Sequence, residues 1–200
     1  MSNPTAHALE HDPAQSQWST PMWLARKMAA WCWRGARVLE PCAGEGNLIA
    51  ALLELGHLPS SIIAIERDPR FALHLQERFP RVSVTCGDFL ELPCAPRIDC
   101  VLMNSPFEKN AQMHFALKAL ETARECVLLA PTNIEFSLTR DEEMWRTKAQ
   151  VARRARLPVR PRFGGPHTAS FDSVVLKLKR RDGPRRDDEI AQVSEEVWRP

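Results

Sequence analysis

The 200-residue chain of 22.7 kDa has room for one sizeable domain and short tails, not for two full domains. A composition of 44% hydrophobic and 26% charged residues excludes a wholly disordered, collagen-like or fibrous protein. No apolar run approaches the roughly 20 residues of a membrane span. No basic-then-apolar leader opens the N-terminus, so the expectation is a cytoplasmic protein. The net charge of +2 hides an uneven distribution: residues 151–181 carry nine basic side chains against Asp172 alone, a net charge of +8. Such a segment suits a phosphate-facing surface as well as a merely solvated basic face.

Residues 1–17 are polar and read as a flexible N-terminus. A helix is expected over 21–33, with Thr20 as its N-cap and Pro21 in its first turn. Strand-like runs follow at 36–40, 61–66, 82–86, 98–103 and 125–130, each ending in a turn with Gly, Pro, Asp or Asn. Helix-like stretches at 46–55, 69–79 and 110–123 separate them. Continuous apolar strands alternating with helices indicate a parallel sheet covered on both faces. An Arg-rich stretch at 131–159 is the expected substrate-facing insert. A hairpin from 158–163 to 171–178 through Gly164-Gly165-Pro166 closes the sheet edge, and 181–200 form a polar tail with a short helix near 190–197. The fold class is α/β: a Rossmann-like three-layer sandwich over 18–180, with a seven-stranded, mostly parallel sheet and an antiparallel C-terminal hairpin. The six cysteines form no CxxC pair and no zinc-finger spacing with histidine. They read as reduced, mostly buried thiols, and no metal is expected.

The chemistry concentrates at strand ends. VLEPCAGEGN at 38–47 ends a strand at Glu40 and opens a helix through Gly44 and Gly46, so that backbone amides and a helix N-terminus face a ligand. Twenty-two residues after Gly44, Glu66 ends the second strand in IIAIERDP, where an open α/β sheet holds a ribose by its hydroxyls. Asp88 follows the third strand in CGDFL, placed to accept a hydrogen bond from an adenine amino group or to form a plain Asx turn.

In this order the pieces resemble the class I S-adenosylmethionine-dependent methyltransferases. The resemblance implies S-adenosylmethionine as cofactor, bound by Glu40, Pro41, Ala43, Gly44, Gly46, Asn47, Glu66, Arg67, Asp88, Phe89 and Asn104. A fourth piece, Asn104-Ser105-Pro106-Phe107 in VLMNSPF, resembles the (Asn/Asp/Ser)-Pro-Pro-(Tyr/Phe) motif of enzymes that methylate an exocyclic or amide nitrogen. Ser105 departs from the commoner Pro, a position that also varies in the ribosomal RNA adenine dimethyltransferases. Trp18-Ser19-Thr20-Pro21 resembles the segment that covers the cofactor's methionine end in adenine-N6 enzymes, which adds Trp18 and Thr20 to the cofactor set. PRFGGPHTASFDSVVL resembles the terminal hairpin of small phage- and plasmid-borne DNA adenine methyltransferases, with Phe163 and Phe171 as base contacts.

The resulting expectation is N6-adenine methylation of DNA at low sequence specificity, with Asn104, Ser105, Pro106 and Phe107 as catalytic residues. Arg153, Arg154, Arg156, Arg160 and Arg162 are the expected nucleic-acid contacts, and a homodimer mate or separate partner would supply specificity. RNA adenine, DNA cytosine N4 and a protein glutamine are alternative acceptors. A non-catalytic binding module that keeps the fold is the alternative of a different class.

Overall fold

The computed structural model describes residues 19–107, 111–136, 138–163, 172–185 and 193–200. Helix α1 (Met22–Ala29) leads to β1 (Val38–Glu40), α2 (Asn47–Glu54), β2 (Ile62–Glu66), α3 (Pro69–Arg78), β3 (Ser83–Cys86) and β4 (Cys100–Met103). Helix α4 (Ala111–Thr122), β5 (Glu125–Pro131), a single-turn helix Thr132–Glu135, a wide helical turn Asp141–Trp145, β6 (Ala149–Arg156), β7 (Ser173–Arg180) and β8 (Ser194–Val197) complete the chain. The strands form one sheet in the order β3-β2-β1-β4-β5-β7-β6-β8. β1 to β5 are mutually parallel, and β7 alone runs against its neighbours, between β5 and β6.

The period-2 rule of strands divides the core between the two faces of the sheet. Val38, Leu102, Val127 and Val175 point to one side, with Leu24 and Met28 of α1 and Leu48 and Leu52 of α2. Leu39, Val101, Met103, Leu128 and Leu176 point to the other, with Phe115 and Leu120 of α4 and Met144 and Trp145. Both faces of the central strands are therefore dry, as continuous apolar runs demand. The parallel strands all end on one side, and the order reverses between β1 and β4, which creates a crevice outside their carboxyl ends.

The α/β fold class and the antiparallel C-terminal strands stand as expected, with three local corrections. The N-cap of α1 is Pro21, without a side-chain cap, because the Thr20 hydroxyl is engaged elsewhere. The first strand of the C-terminal pair is Ala149–Arg156 rather than 158–163. The end of the polar tail is an eighth strand, Ser194–Val197, not a helix: it lies parallel to β6, and Trp198 is buried against Trp31 at 4.6 Å between ring centroids. Of the six thiols, Cys32, Cys100 and Cys126 are buried and Cys42 is half-buried, while Cys86 and Cys94 are exposed. No helix among the described residues is long and apolar enough to cross a membrane.

Candidate active site

A cavity of about 580 Å³ occupies the crevice, walled by Ser19 and Thr20, the β1–α2 loop from Glu40 to Asn47, Glu66 to Phe71, Gly87 to Leu90, Asn104 and Pro106. Most of the walls are residue runs just after a parallel strand; the segment that enters α1 and Ala111 and Phe115 of α4 supply the rest. The apolar strands are what carry these polar ends to one place.

Two glycines in the β1–α2 loop have different work. Gly46 sits at φ +82°, and a Cβ there would meet Phe79 at 2.5 Å and Leu75 at 2.7 Å, so this glycine lets α2 pack on α3. Gly44 sits at φ +50°, and a Cβ there would meet no atom within 4 Å. It borders the cavity and leaves the space open. Glu66 ties the loops together: one carboxylate oxygen accepts from the Gly44 amide at 2.7 Å, and the other from the Asp68 amide at 2.8 Å. Asp68 in turn caps α3 by accepting from the Arg70 amide. Asp68 escaped the sequence reading, although Asp-Pro directly after Glu66 is itself a helix-start signal.

Asp88 forms the Asx turn and lines the cavity as well. Its carboxylate accepts from the Leu90 amide at 2.8 Å, an Asx turn, and still borders the cavity with Arg67 at 4.0 Å. Phe89 is buried and packs on Phe115 at 5.8 Å. Asn47 borders the cavity but spends its amide on Ser19 Oγ and the Thr20 carbonyl, which fastens the segment before α1 over the site.

Glu40 is buried, with one carboxylate oxygen lacking any hydrogen-bond partner. Burial pushes its pKa well above the usual carboxylate range and the neighbouring Glu66 charge adds to this, while a hydrogen bond from the Ile49 amide opposes both. Both causes favour the protonated form of this acid at the cavity wall.

At the end of β4, the Asn104 amide nitrogen donates to Thr20 Oγ1 at 3.1 Å, a contact between residues 84 apart in sequence. Ser105 is buried, Pro106 borders the cavity, and Phe107 stands at 5.9 Å from Phe163. Phe107 also walls a second cavity of about 230 Å³ with Met113, Pro131 and Ile134. The structure thus gathers Thr20, Glu40, Pro41, Ala43, Gly44, Asn47, Glu66, Arg67, Asp88, Phe89, Asn104 and Pro106 around one space, whereas Gly46, Ser105 and Phe107 do not line it. Trp18 and Phe171 lie outside the described residues.

The expected nucleic-acid residues fare differently. Arg153 pairs with Glu196 and lies over the Trp31 ring at 4.7 Å; Arg154 pairs with Glu135 and Glu195. Their charge is largely answered within the chain. Arg160 pairs with Asp172 at the surface, and Arg156 and Arg162 are exposed. Phe163 is buried behind Phe107, so it supports that ring rather than meeting a base itself. Trp145, in the stretch expected to face substrate, is buried in the core.

No protein-family model matches the chain. The chain is 35% identical over 98 residues to a ribosomal RNA small subunit methyltransferase of Arabidopsis thaliana, covering 46% of this chain and 27% of that protein. It is 37% identical over 87 residues to ribosomal RNA small subunit methyltransferase A of Chlorobaculum parvum, covering 42% and 31% respectively. The match thus spans about a third or less of these relatives' length. Among solved structures, a Pyrococcus horikoshii protein assigned as an RNA methyltransferase superposes with a TM-score of 0.70 at 22% identity, over 88% of this chain and 94% of that one. The chain has the class I S-adenosylmethionine-dependent methyltransferase fold.

The cofactor that this fold and these relatives imply is S-adenosylmethionine. The residues present fit it. Gly44 keeps open the space that a side chain would fill, Glu66 and Asp88 present carboxylates for hydroxyl and amino groups, and the unpaired Glu40 oxygen suits an ammonium.

Proposed function

We propose that the chain methylates the N6 amino group of adenine in RNA, with S-adenosylmethionine as methyl donor. The observation that carries this reading is the Asn104-Ser105-Pro106-Phe107 turn at the mouth of the crevice, with the Asn104 amide oriented by Thr20. The relatives named for ribosomal RNA favour RNA over the DNA acceptor expected from sequence, and nothing among them speaks for a phage or mobile-element enzyme. The reading takes residues 18–180 as the catalytic unit.

When bound, S-adenosylmethionine supplies a methyl group activated on a sulfonium. Glu66 accepts from ribose hydroxyls, Asp88 from the adenine amino group, and Glu40 faces the ammonium. The acceptor amine is a poor nucleophile because its lone pair is delocalised into the ring. With Asn104 Nδ2 committed to Thr20, Asn104 Oδ1 and the Ser105 carbonyl accept from the two amine hydrogens and turn the lone pair toward the methyl group. Phe107, backed by Phe163, stacks on the base and fixes its plane. Nitrogen becomes strongly acidic only after it is methylated, so its proton passes to solvent and no buried base is required. His114, on α4, is exposed and takes no part.

The test is transfer of labelled methyl to unmethylated ribosomal RNA, to DNA and to protein extract, followed by nucleoside mass spectrometry. Methylated adenine should appear in RNA, and Asn104→Ala should lower its formation by about 10²-fold, the scale for loss of one oriented dipole. Label confined to DNA would return the acceptor to the sequence-based expectation. Label in none of them, with cofactor bound, would make the chain a non-catalytic binding module.

A further inference from the structure

The second cavity holds a polar group that the proposed mechanism leaves unused. Gln112, in the first turn of α4, is only 6% exposed, and its side-chain Nε2 is buried without a hydrogen-bond partner. Phe107, Met113, Pro131 and Ile134 share the cavity wall with it, and Asn133 and Arg140 are its other polar members. A buried amide nitrogen without a partner has lost its bonds to water and regained none. Among the described residues the Gln112 amide nitrogen has no partner, which leaves it a donor for a bound group.

The position says what that partner is. Phe107 walls this cavity and belongs to the same turn as Asn104 and Pro106, which border the cofactor cavity. Phe107 and Gln112 wall the same cavity, so a base stacked on Phe107 shares that space with Gln112. Asn104 Oδ1 and the Ser105 carbonyl recognise any exocyclic amine, so they cannot by themselves tell adenine from guanine. The N1 edge beside the amine differs between these two purines. In adenine N1 accepts a hydrogen bond, whereas in guanine N1 carries a hydrogen. The unpartnered end of the Gln112 amide is Nε2, which can only donate. Flipped bases are read on their Watson–Crick edge.

We infer that the Gln112 amide donates a hydrogen bond to N1 of the acceptor adenine and makes Gln112 a specificity-determining residue of the second cavity. This rests on the reading of the chain as an adenine N-methyltransferase. Gln112 does not border the cofactor cavity, so it touches the acceptor and not the methyl donor. The arrangement also explains why a polar residue sits on a helix face otherwise buried by Met113, Phe115 and Ala116.

The experiment compares methyl transfer to two otherwise identical RNA acceptors, one with adenosine and one with 1-deazaadenosine at the methylated position. Wild type and Gln112→Met are assayed, with cofactor binding measured by calorimetry. Wild type should lose at least about tenfold in kcat/KM on the 1-deaza acceptor. Gln112→Met should lose a similar factor on adenosine, treat the two acceptors alike, and bind cofactor as wild type does. Equal discrimination by wild type and Gln112→Met overturns the inference while leaving the proposed function intact. If Gln112→Met loses cofactor binding through misfolding, Gln112→Glu keeps the volume and polarity and carries the same comparison. Its carboxylate has no hydrogen to give N1, so it should also cease to discriminate, and retained discrimination overturns the inference. A wild-type protein that transfers methyl to no RNA adenine removes the function reading itself, and this inference with it.

Discussion

Burial leaves Glu40 with the Ile49 amide as a donor and Glu66 as a nearby like charge, and both burial and Glu66 favour its protonated form. A carboxyl whose folded pKa is raised contributes stability that is fully present below the ordinary carboxylate value and is lost as pH rises through the raised one. The ligand-free protein should therefore lose stability as pH climbs above the ordinary carboxylate range. Cofactor affinity should rise over the same window, because only the ionised form pairs with an ammonium. Glu40→Gln separates the two effects. It keeps an acceptor for the Ile49 amide and removes the buried charge, so the ligand-free variant at neutral pH should gain about 1 kcal/mol, or roughly 2–4 °C in Tm for a chain of this size. Its cofactor affinity should fall by about tenfold or more, as expected when a buried charged partner is lost. Thermal melts at several pH values check this, and an unaltered pH dependence of Tm in Glu40→Gln would show that the carboxyl is not the titrating group.

At the scale of elements, the C-terminal strands show where local pattern fails. AQVARRAR at Ala149–Arg156 reads as a polar, basic stretch, yet Ala149 and Ala155 are buried. The arginine stems cover apolar surface while their heads find acids. SEEV at Ser194–Val197 has no apolar alternation to mark it as a strand. It becomes one because Glu195 and Glu196 pair with Arg154 and Arg153 on β6, and because Trp198 anchors its end on Trp31. β8 thus places two carboxylates where phosphates would otherwise meet β6. Replacing both by Glu195→Gln/Glu196→Gln should change stability little, since exposed pairs are each worth about 0–1 kcal/mol. It should instead release Arg153 and leave Arg154 held by Glu135 alone, tighten RNA binding and steepen the slope of log K against log salt by about 0.7 for each arginine that engages a phosphate. Filter binding across a salt series reads the slope. An unchanged value would remove β6 from the nucleic-acid interface and leave exposed Arg156 and Arg162 as the basic candidates.

Across the whole molecule, what was legible in the sequence is what depends on neighbours along the chain. Each parallel strand is a short apolar run with a turn signal at its end, so β1 to β5, their helices and the strand-end residues Glu40, Glu66, Asp88 and Asn104 could be read one segment at a time. The contacts that organise them could not. The Thr20–Asn104 bond joins residues far apart in the chain, the β6–β8 pairing is set by charge across strands, and the second cavity brings Gln112 together with Asn133 and Ile134 of the turn after β5. The same feature has a thermodynamic consequence. The walls of the larger cavity come from residues 19–20, 40–45, 47–48, 66–71, 87–90, 104, 106, 111 and 115, so a ligand that fills it touches segments otherwise joined mainly through the sheet. Binding to the folded state alone stabilises by mass action, by about 2.7 kcal/mol at a concentration of 100 Kd. At roughly 2–4 °C per kcal/mol, S-adenosylmethionine should raise Tm by about 5–10 °C. Hydrogen exchange should slow at the amides of Gly44, Asp68 and Leu90, which lie in these loops, and stay unchanged on β6 and β8, at the far edge of the sheet. Glu66→Ala breaks the tie between two of the loops and removes a carboxylate from the cavity, so it should abolish most of the shift. A full shift in Glu66→Ala, or protection spread evenly over β6 and β8, would mean that the ligand binds outside the crevice.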